Sequence, residues 1–100
     1  TGVWLLLAAL GPLLLSSGLA PILSDPSLAL FDENGDLVRF DEDWQDDSEQ
    51  ANQLSRSGLS PNYPQESAMV VHLAPGNYTA VVRGPRNSSG IALLEAYSLP

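Results

Sequence analysis

Residues 66 to 84 read Glu66-Ser67-Ala68-Met69-Val70-Val71-His72-Leu73-Ala74-Pro75-Gly76-Asn77-Tyr78-Thr79-Ala80-Val81-Val82-Arg83-Gly84. Two runs suited to a pleated surface, Ala68 to Leu73 and Tyr78 to Arg83, flank Ala74-Pro75-Gly76-Asn77. In a type II turn, Pro presets φ at the second position and Gly accepts the positive φ required at the third. The stretch is therefore expected to fold as a β-hairpin. It speaks for a fold class and not for a chemistry.

Outward from it, the same grammar recurs. Leu28 to Phe31 and Leu37 to Phe40 flank Asn34-Gly35, a strong short-range hairpin signal because both turn residues tolerate positive φ. These two stretches should pair antiparallel. After the polar loop Gly84 to Gly90, the run Ile91 to Tyr97 is again short and apolar, and should return as a strand to the same core. Between the hairpins, Asp41 to Pro64 is acidic and then rich in Gln, Ser and Asn. It carries one helix signal, Ser48 to Ser57, with Asp46, Asp47 or Ser48 available to cap its first N–H groups and Gly58 to end it. Its apolar stripe is only Ala51 and Leu54, so it is expected on the surface of a crossover. The fold class expected is all-β, an antiparallel β-sandwich of jelly-roll type with one short surface helix. A single module over residues 1–100 accounts for the length, which suits one small domain.

The chain has 12 acidic and 4 basic side chains and a formal charge of -8. Binding to phosphate backbones needs clustered Lys and Arg, so nucleic acid is excluded as an expected partner. The same charge repels anionic lipid and attracts cations. With no cysteine, disulfides, thiol nucleophiles and Cys-based zinc sites are all excluded.

Val3 to Leu23 carries no charge and is about as long as the roughly 20 residues of a membrane span. Gly11-Pro12, Ser16-Ser17-Gly18 and Pro21 all weaken a helix there, and no basic residue flanks the run before Arg39. The reading favoured is a buried strand from Val3 to Leu10 followed by a loop, with a targeting segment as the alternative. The absence of an initiator Met leads us to expect a piece of a longer polypeptide, whose neighbouring domains would be partners.

Leu10-Gly11-Pro12, Ser24 to Asp32 with Asn34-Gly35, Asp41-Glu42-Asp43-Trp44, Glu66-Ser67-Ala68, Leu73 to Thr79 and Gly90 to Tyr97 together resemble the pre-peptidase C-terminal domain group. These are β-sandwich modules of secreted or surface-anchored bacterial proteins. The resemblance covers nearly the whole chain and is most specific from Glu66 to Tyr97. It implies a non-catalytic, structural or adhesive accessory module at the cell surface or outside the cell, attached to adhesins or hydrolases. The chain departs from the group's pattern at Ala8, where a basic residue is usual shortly before the Gly-Pro, and in its two Leu-Leu-Leu runs.

Four features could carry chemistry. Asp32, Asn34 and Asp36 alternate around Gly35, and Asp41, Asp43, Asp46 and Asp47 follow after one strand. Calcium takes 6 to 8 oxygen ligands, so a calcium site at Asp32, Asn34, Asp41 and Asp43 is the metal expectation. The alternative is that these groups cap turns and the helix. An EF-hand is excluded, because Gly35 comes too early and Asp43 stands where the bidentate Glu belongs. His72 is the only histidine and should face solvent from a strand. Ser67 and Glu66 stand near it in sequence, but with no nucleophile elbow, so no catalytic residue is assigned. Trp44 and Tyr63 could cover the core edge or, as the minority view, stack on a glycan. Glu95, in an apolar run, would need Arg83 or Arg39 as a partner if it faced inward. Asn77-Tyr78-Thr79 and Asn87-Ser88-Ser89 fit the N-glycosylation pattern.

Overall fold

A computed structural model describes residues 2–11, 23–61, 63–85 and 92–99. Its organising element is β1 (Val3–Leu10), which pairs antiparallel with β4 (Ser67–Leu73) on one side and β6 (Leu93–Leu99) on the other. Successive side chains of a strand point to opposite faces. Leu6, Ala8 and Leu10 go to one face with Ala68, Val70, Trp44 and Leu54, while Leu7 and Ala9 go to the other with Met69, Val71, Leu73, Leu28 and Leu30. A strand covered on both faces has no solvent side on which to place a charge, which accounts for the unbroken apolar run. The strand expected from Val3 to Leu10 therefore forms, buried from Leu6 to Leu10 and exposed at Val3 and Trp4. Among the described residues no helix is long and apolar enough to cross a membrane; the rest of the leucine-rich stretch, 12–22, lies outside them.

The second sheet has the order β3-β2-β5, from β2 (Ser27–Phe31), β3 (Leu37–Asp41) and β5 (Thr79–Arg83). Leu28 and Leu30 turn inward from β2, and Ala80 and Val82 from β5 pack with them against the first sheet. The described residues thus form an all-β sandwich of two antiparallel three-stranded sheets with one short helix, in keeping with the all-β class expected. The β2–β3 hairpin also forms as expected, with Ala29 opposite Phe40 and Leu30 opposite Arg39. Its turn runs from Asp32 to Gly35, closed by the Gly35 N–H on the Asp32 carbonyl at 3.0 Å, and Gly35 takes the positive φ of 83°.

The expected second hairpin does not form. Both strands exist, but β4 pairs with β1 in one sheet and β5 with β2 in the other. The segment Ala74 to Tyr78 is an arch between sheets, tied by the Tyr78 hydroxyl donating to the Ala74 carbonyl at 2.8 Å. Gly76 does not adopt the left-handed conformation a type II turn would demand, unlike Gly35 and Gly58. A Pro-Gly pair encodes a reversal of direction, whereas the choice between same-sheet and cross-sheet pairing belongs to the strands that compete for each edge.

Helix α1 (Ser48–Ser57) forms where its caps placed it. The Asp47 carboxylate accepts the Glu49 and Gln50 N–H groups at 3.0 and 3.2 Å, and Gly58 ends the helix at φ 76°. The helix does more than decorate the crossover from β3 to β4. Its Leu54 is fully buried and, with Ala51, closes the face of the first sheet that the second sheet does not cover. Gln50 also caps the outer edge of β4, its amide accepting the Val70 N–H at 2.8 Å and donating to the Val70 carbonyl at 3.1 Å. The Asp41 carboxylate takes the Ala68 N–H on the same edge at 2.9 Å. Two side chains thus stand in for a missing strand, which blunts an edge that would otherwise invite pairing. Beside them the buried Ser67 hydroxyl lies between the carbonyls of Pro26 and Glu42 and donates its proton there.

The arch leads to a test in which two glycines respond oppositely. A Cβ at Gly76 would meet only ordinary contacts, the nearest at 3.6 Å, so Gly76→Ala should leave stability unchanged or raise it by about 0.5 kcal/mol in urea unfolding. Gly35→Ala, at φ 83°, should lower it by about 1 kcal/mol. Equal losses at the two positions would contradict the arch.

Candidate functional site

The hairpin register separates the four residues expected to bind calcium. Phe31 lies opposite Leu37 beside the turn, and Leu28 lies opposite Asp41 at the far end. Asp32 and Asn34 therefore sit at one end of β3 and Asp41 and Asp43 at the other, roughly 13 Å apart at the usual rise per strand residue. The Asp32 carboxylate serves the turn, accepting the Asn34 and Asp36 N–H groups at 2.9 and 3.0 Å. Asp41 is committed to the β4 edge, and Asp47 holds the helix N-terminus and pairs with Arg39 at 3.1 Å. Among the described residues no group of three or more His, Cys, Asp or Glu gathers as a metal ion would require. Asp32 is committed to the turn and Asp41 to the β4 edge at opposite ends of β3, so the four are not gathered at one point.

The acidic end has its own electrostatics. Burial, opposed by the Ala68 hydrogen bond and reinforced by the Asp46 charge, pushes Asp41 up to about 6. The Asp43 carboxyl is also raised, by partial burial and by the neighbouring Asp25 and Asp46 carboxylates. Asp47 moves the other way, held low first by the helix N–H groups and then by Arg39.

The remaining candidates are dispersed. His72 is exposed, as expected for its position on β4, and Ser67 lies five positions away on the same strand, about 16 Å along it. With the Ser67 hydroxyl bound to backbone carbonyls and Glu66 fully buried, the three form no nucleophile and base pair. Trp44 is a core residue, 8% exposed and packed with Leu54 and Leu10, which removes it from any glycan face, while Tyr63 stays exposed at 39%. Glu95 does not pair with Arg39, which is bound to Asp47; it lies beside the Tyr97 hydroxyl and raises the tyrosine's pKa by hydrogen bonding. Ile91, read as its face neighbour, lies outside the described residues, as does Asn87-Ser88-Ser89, whereas Asn77 is exposed on the arch.

Sequence reasoning passed over Trp4. Its indole is 45% exposed and stacks on the His72 imidazole, with ring centroids 4.8 Å apart and planes 27° from parallel. The two are directly opposite on β1 and β4, and Leu99 flanks Trp4 from β6. A groove of about 300 Å³ opens at this end of the sheet between Trp4, Val70 and Leu99 on the strands and Gln53 and Arg56 on the helix. The available signal was an aromatic residue heading an otherwise aliphatic run. Two apolar hollows accompany it. One, of about 340 Å³, lies at the sandwich mouth between Val3, Leu5, Leu73, Pro75 and Tyr78. The other, of about 260 Å³, lies on the outer face of the second sheet between Ala29, Phe31, Leu37, Phe40 and Val81.

Comparison with known proteins yields no match to a protein-family model, a curated protein or a solved structure.

Two outcomes are expected. A carboxyl whose pKa is raised on folding contributes stability that is fully present below its unfolded value, 3.8 for Asp41, and is lost as pH rises through the folded value of about 6. Thermal unfolding should therefore show an Asp41 contribution that lowers Tm between about pH 4 and 6 and that Asp41→Asn removes; the same pH dependence in wild type and variant would contradict the assignment. Calcium at about 1 mM, where extracellular calcium modules bind, should leave Tm unchanged, and a clear rise would show that the acidic end recruits the ion.

Proposed function

We propose that this chain is a non-catalytic structural or adhesive accessory module of an extracellular bacterial protein, acting through its surfaces. The observation that carries the reading is the inside-out pattern of β3. Opposite the inward Leu28 and Leu30 stand Asp41 and Arg39, while Phe40 and Leu37 turn to the outer face, 50% and 55% exposed. An edge strand that keeps Arg39 and Asp41 half-buried and turns its aromatic ring to solvent leaves an apolar surface open to a partner. Exposed apolar patches of this kind mark interaction surfaces.

The dispersal of Ser67, Glu66 and His72 supports the non-catalytic half of the reading, since acid–base and nucleophilic chemistry need their groups within hydrogen-bond reach. The resemblance to the pre-peptidase C-terminal group supports the extracellular half. The neighbouring domains of a parent polypeptide, or a protein or glycan outside it, are the partners proposed.

Fluorogenic ester, peptide and glycoside substrates should show no turnover by the purified chain. Turnover abolished by His72→Gln or Ser67→Ala, with folding retained by circular dichroism, would overturn the proposal.

A further inference from the structure

Resting on the binding-module reading, we propose that the groove between helix α1 and the Trp4 end of the first sheet is a subsite for an acidic sugar, a pyranose ring bearing a carboxylate. Three independent features of the groove converge on that chemistry. An exposed indole offers the flat apolar surface on which the C–H face of a sugar ring packs. Here the indole is stacked on His72, which restricts its orientation before any ligand arrives and so lowers the ordering cost of binding.

The second feature is charge. In a chain of net charge -8 with 4 basic side chains, Arg56 stands on the groove wall. Its Nε donates to the Asn52 carbonyl at 3.3 Å, which fixes the guanidinium stem. Among the described residues no carboxylate pairs with Arg56; the ion pair seen there joins Arg39 and Asp47. The terminal nitrogens of such a planar guanidinium match the two oxygens of a carboxylate. The third feature is Gln53, an amide on the same wall one helical turn before Arg56, suited to ring hydroxyls. A volume of about 300 Å³ lies at the small end of ligand pockets and suits one or two sugar rings.

The charge of the whole protein opposes an anion at long range, but at about 0.15 M salt the screening length is about 8 Å, and the local guanidinium governs inside the groove. On α1 itself the acidic residue Glu49 stands in the first turn, two helical turns or roughly 10 Å before Arg56, and Asp47 at the N-cap is paired with Arg39.

The test uses tetragalacturonate and its fully methyl-esterified counterpart, which share rings and hydroxyls and differ in the carboxylate. Titration at about 0.15 M salt, followed by amide and indole N–H chemical shifts, should move Trp4, Gln53, Arg56 and Leu99 with the acid. Arg56→Met should weaken binding of the acid about tenfold, as expected for loss of a charge-assisted contact, while Arg83→Met, remote from the groove, should not. Gln53→Ala provides a second groove variant, expected to weaken both compounds. No shifts up to about 10 mM, shifts mapped elsewhere, or equal affinity for acid and ester would each overturn the proposal. Those results would leave the accessory-module reading standing, since that reading falls to catalytic turnover and not to silence toward one sugar.

Discussion

The structure depends on the requirement that β1 be covered on both faces. A central strand reading Val3-Trp4-Leu5-Leu6-Leu7-Ala8-Ala9-Leu10 places leucine on each side, and a two-layer sandwich can cover only one of them. The second sheet takes the Leu7 side and helix α1 the Leu6 side. This makes the helix, with its modest apolar stripe, a structural layer. Leu54 and Trp44 from the crossover complete a core that would otherwise face water. Burial on the order of 2 kcal/mol per large aliphatic side chain explains why so short a helix is held in place.

The crossover also resolves the problem of the β4 edge. One edge of β4 is taken by β1, and the other would be open; Gln50 and Asp41 fill it with an amide and a carboxylate instead of a strand. The cost is that Asp41 must sit half-buried among Asp46 and Asp43, and its raised pKa is the electrostatic signature of that compromise. The same requirement for backbone acceptors disperses the acidic residues. Asp32 goes to a turn, Asp41 to a strand edge and Asp47 to a helix terminus, so a chain rich in carboxylates spends them on its own N–H groups.

What remains for partners is set by where these layers stop. Between the helix and the Trp4 end of the first sheet lies a groove lined by an aromatic ring and a guanidinium. Among the described residues nothing covers the outer face of the second sheet, where Phe40 and Leu37 emerge. The first lies between a strand end and the helix, the second on the strands of one sheet.

Local chemistry determined a good deal from the sequence alone. The Asn34-Gly35 hairpin, the Ser48 to Ser57 helix with its Asp47 and Gly58 ends, the strand from Val3 to Leu10 and the outward His72 all follow from short-range sterics, capping and alternation, which neighbours in sequence suffice to specify. Tertiary structure alone decided the rest. Whether Ala68 to Leu73 pairs with Tyr78 to Arg83 depends on β1 and β2 competing for those edges, and no local signal encodes a competitor sixty residues away. The same holds for the burial of Trp44, the separation of Asp32 from Asp41 and the meeting of Trp4 with Arg56. Each is fixed by register and layer order, properties that exist only once distant segments have packed together.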